Sequence, residues 1–118
     1  RVAAASDLIA AAGMGDGVYE LPWAKIRVEN GIAKLADRDV LAGGTATMYT
    51  AFKNILSLGI DLVSAVNITS LTPAKSIGMD RKAKVGALEK GFAADIVVLD
   101  ENLEIRRVYV AGELVYQR

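Results

Sequence analysis

Asp7 is the residue of this chain best placed for acid–base chemistry. It follows a short apolar stretch, residues 2–5, and precedes an alanine-rich stretch, residues 8–12. An apolar strand that ends in polar residues and leads into a helix is typical of α/β folds, which build active sites at the carboxyl ends of strands. A carboxylate there can take up and return a proton, or support a metal ion. The alternative is a structural role, in which Asp7 caps a helix over residues 8–12.

A second candidate is the glycine-bearing loop at residues 41–45, Leu-Ala-Gly-Gly-Thr, which opens a predicted helix. Backbone N–H groups at a helix amino terminus can hold an anion or a polar group of a substrate. The loop is not a phosphate loop of the Walker type, because no Gly-Lys-Ser/Thr ending follows it. On local pattern alone, a simple turn at Gly43 and Gly44 is the other interpretation.

The composition excludes several kinds of chemistry from this chain. Its 118 residues include no Cys and no His, so it holds no disulfide, thiol nucleophile, Ser-His-Asp relay or imidazole metal ligand. Lys and Arg total 14 and Asp and Glu total 14, and this balance predicts no nucleic-acid partner and no anionic membrane partner. No apolar run reaches the roughly 18 residues of a membrane-spanning helix. We expect a cytoplasmic protein.

A β-hairpin is the clearest of the elements that must position these residues. Residues 26–35 alternate apolar and charged side chains around Asn30 and Gly31, the dipeptide that most strongly predicts a two-residue hairpin loop. Pairing across this turn sets Val28 opposite Ala33. The hairpin then has one apolar face and one mostly polar face, so its register is internally consistent.

Three helical segments and an all-β tail follow the hairpin. The predicted helix caps are Thr45 or Thr47, Asp61 and Thr72, with stops at Gly59 and Gly78. The tail is predicted to hold a buried strand at residues 94–100, flanked by solvated Asp95 and Asp100. A hairpin around Ala111 and Gly112 is expected to pair Tyr109 with Leu114 and Val108 with Val115. Strand, hairpin, helices and all-β tail form an unusual order for one self-contained domain, and the chain starts with Arg1. We therefore expect a piece of a longer protein.

Three segments of the chain resemble the N-acetylglucosamine-6-phosphate deacetylase family of the amidohydrolase superfamily. Residues 4–19 carry Ser-Asp-Leu where that family usually reads Thr-Asp-Ala, so Asp7 matches the family's barrel-end aspartate. Residues 41–48 are similar to the family's Leu-Ala-Gly-Ser block, with Gly44 in place of Ser. Residues 73–100 resemble the tail of the wider superfamily, which says little about the substrate.

The resemblance implies an α/β fold, namely the C-terminal part of a (β/α)8 barrel of the TIM type plus strands of a small β-sandwich. Residues 1–82 would supply the last barrel strand, a β-hairpin insertion and the terminal helices of the barrel. Residues 83–118 would supply the sandwich strands. This division accounts for the unusual order of the elements.

The resemblance also implies a reaction, the hydrolysis of N-acetylglucosamine 6-phosphate to glucosamine 6-phosphate and acetate. In this family a divalent metal ion, of the zinc or iron class, activates the attacking water. Asp7 would take the proton from that water and pass it to the leaving amine, and Leu41, Ala42 and Gly43 would contact the amino-sugar phosphate. The metal ligands of the family lie on earlier barrel strands, so no ligand is expected here and the chain alone should be inactive. The full-length protein is expected to be a homodimer.

Two alternatives stand beside this hypothesis. Another amidohydrolase, acting on a cyclic amide or a different N-acyl compound, would share the same tail. A non-enzymatic α+β interaction module would use the apolar surface to bind a partner, and barrel strands with a Glu and paired His upstream would argue against it.

Overall fold

The computed structural model of the chain describes residues 2–118 and divides into two compact units. The first is Ala4–Ala65, and the second is Val66–Arg118 together with residues 2 and 3. The elements are β1 (Gly17–Leu21), β2 (Ala24–Glu29), β3 (Ile32–Leu35), α1 (Met48–Ser57), α2 (Leu62–Thr69), α3 (Leu71–Ser76), α4 (Met79–Lys82), β4 (Ile96–Leu99), β5 (Ile105–Val110) and β6 (Glu113–Gln117). This is the mixed α/β content expected from the sequence. None of these helices has both the length and the apolar character needed to cross a membrane.

The first unit is built on an antiparallel sheet in the order β1-β2-β3. The predicted hairpin is confirmed, with Val28 paired to Ala33. Asn30 and Gly31 adopt φ values of 50° and 72°, the left-handed conformation that a two-residue hairpin loop requires. Strand β1 was not predicted, because its glycine-rich approach has the pattern of a turn. It pairs along the outer edge of β2.

The core of the first unit lies on the apolar face of this hairpin. Its buried members are Ala11, Ile26, Val28 and Ala33, and the partly buried residues packed against them are Ile9, Tyr19, Leu21 and Ala42. The core therefore receives side chains from both candidate segments, the one that follows Asp7 and the one that holds Gly43. Burial of shared apolar surface is what keeps these distant parts of the sequence together.

The helix predicted over residues 8–12 is wrong. Ala12 N–H donates to the Ile9 carbonyl at 2.9 Å and Met14 N–H to the Ala11 carbonyl at 3.2 Å, which gives a turn over residues 10–13. The Ile9 N–H is instead used in a bond to another segment, so helix propensity loses to tertiary pairing. Capping by Asp7 is wrong with it. The strand predicted over residues 2–5 has no pairing partner within residues 2–118 and is not formed.

The helix boundaries of α1 and α2 follow their predicted caps. Thr50 N–H donates to Thr47 Oγ1 at 3.2 Å at the start of α1, and Gly59, at φ 82°, follows its end. Ser64 N–H donates to Asp61 Oδ1 at 3.0 Å at the start of α2. The hydrogen bonds from Ser64 hold the pKa of the Asp61 carboxyl below its ordinary value.

The third helix starts earlier than predicted. Helix α3 begins at Leu71, so Thr72 is not its cap and Pro73 lies third in the helix. A proline is tolerated there because N–H groups of the first turn have no intrahelical acceptor. The stop at Gly78 is correct, and α4 follows it directly where no helix was predicted.

The second sheet, β4-β5-β6, forms the tail of the second unit. Tyr109 pairs with Leu114 as predicted, but Val108 pairs with Tyr116 rather than Val115. A register shift between Val108 and Tyr109 accounts for the difference, since a bulge sets two residues of one strand against one of the other. The strand at residues 94–100 was predicted to be buried, but Val97, in its middle, is 56% exposed.

The two aspartates of the tail were predicted to be solvated at the strand ends. In the structure both instead accept hydrogen bonds that close turns. Asp100 Oδ1 accepts N–H groups of Asn102 and Glu104, both at 2.9 Å, and Oδ2 pairs with Arg106 Nη2 at 2.8 Å. Asp95 Oδ1 accepts the Ala111 N–H at 2.8 Å. These carboxylates hold the two connections around β5 in place.

Asp100 gives a prediction for the pH dependence of stability. The Glu104 N–H, then the Asn102 N–H and Arg106, hold the pKa of its carboxyl below the ordinary 3.8. A folded-state pKa below the unfolded one means stabilisation that is present above pH 3.8 and lost as pH falls through the lower folded value. We expect Asp100→Asn to lower the free energy of unfolding at neutral pH, with a gap to the native protein that closes in acid.

Urea unfolding from about pH 6 down to about pH 3 measures this gap. Glu101→Gln, in the same turn, is the matched control and should behave like the native protein throughout. A gap for Asp100→Asn that is equally large at both ends of the series would contradict the assignment.

Candidate active site

The segment at residues 41–44 lies alongside β3 and extends the first sheet. Ala42 N–H donates to the Ala33 carbonyl at 3.0 Å, and an antiparallel bridge joins Lys34 and Leu41. Because β3 is fixed by the hairpin, the backbone of this segment is fixed with it.

The other edge of the same segment holds the backbone around Asp7. Gly44 N–H donates to the Asp7 carbonyl at 2.7 Å, and Ile9 N–H donates to the Gly44 carbonyl at 3.0 Å. Leu8 and Gly44 thereby form a parallel bridge. The two candidate segments, more than 30 residues apart in the sequence, are thus adjacent strands of one hydrogen-bonded arrangement.

Two glycines allow this close approach. A Cβ placed on Gly44 would lie less than 3.0 Å from the Ser6 carbonyl oxygen, a separation that Cβ atoms essentially never show. Gly43 has φ 116°, and a Cβ there would lie 2.6 Å from Ile9 Cγ2 and 3.6 Å from Asp7 Oδ2. The Asp7 carboxylate therefore lies near Gly43, on the side from which a side chain at that position would project. A side chain at either position would occupy this space or push the segments apart.

Asp7 itself holds an uncommon backbone conformation. Its φ is 47°, in the left-handed region, and the residue is exposed. Asp tolerates this region better than most residues, but a left-handed residue other than Gly still costs about 1–3 kcal/mol and persists only where its surroundings enforce it. Here the Gly44 hydrogen bond to the Asp7 carbonyl supplies that enforcement. Such strain is concentrated at functional sites in proteins, which fits a chemical role for the carboxylate.

Of the four residues proposed from the sequence, the structure places Gly43 near Asp7, and Leu41 and Ala42 precede Gly43 in the segment that pairs with β3. The Leu41 side chain is 69% exposed, whereas the Ala42 side chain packs against the core, so Ala42 and Gly43 can offer a ligand only backbone groups. The importance of Gly44 was missed, because a sequence reports a glycine but not the carbonyl that approaches it. The pair of adjacent glycines in the loop was the available signal.

The metal ion implied by the family resemblance does not fit the residues present. Within residues 2–118, no three His, Cys, Asp or Glu side chains lie together as a metal centre requires. Asp7 is a lone carboxylate beside backbone groups. An exposed carboxylate of this kind is able to take up and return a proton and to accept hydrogen bonds.

Comparison with known proteins identifies relatives along nearly the whole chain. A family model described as "Amidohydrolase family" matches residues 11–115. The chain is 35% identical over 113 residues to the N-acetylglucosamine-6-phosphate deacetylase of Bos taurus, which covers 95% of this chain and 27% of the relative. It is 32% identical over 115 residues to a putative N-acetylgalactosamine-6-phosphate deacetylase of Escherichia coli K12, covering 97% of this chain and 67% of the relative.

Solved structures are similar in fold as well as sequence. The N-acetylglucosamine-6-phosphate deacetylase of Thermotoga maritima superposes with a TM-score of 0.88 at 30% identity, over 99% of this chain and 31% of that one. An aspartate-to-alanine mutant of the Mycobacterium smegmatis deacetylase, in complex with N-acetyl-D-glucosamine-6-phosphate, gives 0.79 at 38% identity, over 91% and 28%.

The chain thus spans between a quarter and a third of the length of most of these relatives. The match to the family model, in contrast, extends over most of this chain. On that evidence the chain belongs to the amidohydrolase family.

Proposed function

We propose that the full-length protein hydrolyses N-acetylglucosamine 6-phosphate to glucosamine 6-phosphate and acetate. The observation that carries the proposal is the Asp7 carboxylate near Gly43, with the Asp7 carbonyl bonded to the Gly44 N–H, in a chain 35% identical to a deacetylase of this substrate. Family membership favours this enzyme over a non-enzymatic interaction module. The relatives favour an amino-sugar phosphate over a cyclic amide.

In the proposed reaction Asp7 moves one proton. The ionised carboxylate accepts a proton from the attacking water as the water oxygen bonds to the amide carbon. The protonated carboxyl then donates the same proton to the amine nitrogen as the carbon–nitrogen bond breaks, so acetic acid and the free amine leave and Asp7 is ionised again; the second proton of the water stays on the acid until it passes to the amine or the solvent, which gives acetate. The task requires an exposed carboxylate in a fixed position, and the backbone bonds around Asp7 support such a position.

Leu41, Ala42 and Gly43 bind the substrate in this proposal. The Ala42 side chain packs on the core, so its contact and that of Gly43 run through backbone groups, while Leu41 offers an exposed apolar side chain. A bound acetamide suits this combination, since it has one methyl group and one polar amide.

The remaining parts of the proposal concern the full-length protein. It carries a divalent metal ion of the zinc or iron class on ligands outside this chain, and it works as a cytoplasmic homodimer. Residues 1–82 complete a (β/α)8 barrel, and residues 83–118 join a β-sandwich. Exposed apolar side chains on both faces of the β4–β6 sheet support a second layer there, with Val97 and Val110 on one face and Val98 and Leu114 on the other.

Acetate release by the full-length protein tests the proposed reaction. With N-acetylglucosamine 6-phosphate we expect kcat/KM of at least about 10⁴ M⁻¹s⁻¹, and a far lower value for the same sugar without its phosphate. The galactosamine epimer is assayed in parallel, because a relative is named for it. Hydrolysis of a cyclic amide in the absence of any acetate release would assign another amidohydrolase reaction. No hydrolysis of any of these compounds would leave the interaction module as the better hypothesis.

A further inference from the structure

We propose that Asn30 is a site of spontaneous deamidation, and that the Asp16 carboxylate holds this reaction in check. Asn30 and Gly31 form the tip of the first hairpin. The proposal is independent of the reaction assigned to Asp7.

The reaction joins Asn30 to the residue that follows it. The Gly31 nitrogen, having lost its proton to a base in solution, bonds to the amide carbon of the Asn30 side chain. The carbon–nitrogen bond of that amide breaks, and the leaving nitrogen takes up a proton and departs as ammonia. Water then opens the resulting succinimide ring at either carbonyl, which leaves aspartate or isoaspartate at position 30.

The surroundings of Asn30 leave room for this reaction. Both residues of the tip are exposed, and a Cβ placed on Gly31 would meet nothing within 4 Å. Glycine also adds no side chain that would crowd the new ring. The other asparagines of the chain precede the bulky residues Ile or Leu, and they are Asn54, Asn67 and Asn102.

Asp16 restrains the nitrogen that must attack. Gly31 N–H donates to Asp16 Oδ1 at 3.2 Å, and Asn30 N–H donates to Oδ2 at 2.8 Å. Ring closure has to break the first of these bonds, and a hydrogen bond to a charged acceptor is stronger than one to a neutral group. The carboxylate also disfavours loss of the Gly31 proton, because the amide would become an anion beside a negative charge.

Deamidation at Asn30 alters the link between the hairpin and the end of the segment at residues 41–45. The Gly31 carbonyl accepts a hydrogen bond from Thr45 Oγ1. Isoaspartate adds one carbon to the main chain just ahead of Gly31. Either product also adds a negative charge at the residue whose N–H already binds the Asp16 carboxylate. Both changes weaken the hydrogen bonds of the tip, so we expect the modified protein to be less stable than the native one.

Peptide mass mapping of the aged full-length protein tests the proposal. In mildly alkaline buffer we expect Asn30 to convert at least about tenfold faster in Asp16→Ala than in the native protein, since one hydrogen bond to a charged acceptor corresponds to a factor of that size. Glu20→Ala removes an exposed carboxylate that pairs with Lys25 at 2.9 Å, and this control should convert at the native rate. The asparagines that precede Ile or Leu should stay unmodified in all three proteins.

Two outcomes of this mapping would contradict the proposal. Equal rates in folded Asp16→Ala and in the native protein would overturn the restraint by Asp16. An Asn30 that stays intact even when the native protein is unfolded in urea would overturn the modification site itself.

Amide hydrogen exchange keeps the proposal testable where Asp16→Ala does not fold. Base-catalysed exchange removes the same Gly31 proton that ring closure requires, so it measures the restraint directly on the native protein. We expect the Gly31 amide to exchange at least about tenfold slower than the same amide in a free peptide, although the residue is exposed. Exchange at the rate of the free peptide would overturn the proposal.

Discussion

Asp7→Asn in the full-length protein is expected to lower kcat for N-acetylglucosamine 6-phosphate about 1,000-fold, with KM within about threefold of the native value. Asn has nearly the same shape as Asp and also tolerates the left-handed region, so the backbone conformation at this position is retained. Its amide cannot take a proton from water or give one to the amine. The loss therefore falls on the chemical step and leaves binding nearly unchanged.

Steady-state kinetics and metal analysis check this expectation together. The metal content of Asp7→Asn should equal that of the native protein, since the ligands are proposed to lie outside this chain. Asp37→Asn is the matched control, because Asp37 is an exposed carboxylate of the same unit that pairs with Arg38 Nε at 3.3 Å. It should keep native kcat. Near-normal deacetylation by Asp7→Asn would refute the role assigned to that residue.

Ile26→Ala is expected to lower the free energy of unfolding by about 3 kcal/mol. The Ile26 side chain is 1% exposed and is the largest fully buried side chain among residues 2–118. Truncation removes three carbons from the core and leaves a cavity that the hairpin cannot close, because its strands are paired on both sides of β2.

The matched control is Ile32→Ala on the same hairpin. Ile32 is 52% exposed, so its truncation should change the free energy of unfolding by less than about 1 kcal/mol. Denaturant unfolding of both variants gives the comparison. Because Ile9, Ala11 and Ala42 pack in the same core, activity of Ile26→Ala should also be lost at a lower temperature. Equal effects of the two substitutions would show that the core is not where the structure has it.

The elements that the sequence predicts well are those decided by neighbouring residues. Asn30 and Gly31 determine the hairpin loop, and the alternation around them determines its register. The Thr47 cap of α1 is local in the same way, because its hydroxyl meets an N–H three residues on. Each of these depends on interactions within a few residues, which a sequence displays directly.

The elements that the sequence predicts poorly are those decided by a distant segment. Alanine-rich residues 8–12 favour a helix, but Ile9 gives its N–H to Gly44, and no local pattern announces that bond. The bulge beside Tyr109 similarly depends on how two strands fit together. Likewise, the aspartate and the glycine loop were each found as separate motifs. Their direct contact follows from a hydrogen-bonded arrangement that only the fold reveals.

The bond network around residues 41–44 also bears on how this site can change during evolution. The main-chain hydrogen bonds that link Asp7 to β3 run through Ala42 and Gly44, and none of them involves the Leu41 side chain. That side chain is exposed, and the backbone of Leu41 is paired with Lys34. Under the proposed function, substrate preference would diversify at Leu41 while the position of the Asp7 carboxylate is kept, which makes Leu41 a natural target for a saturation library.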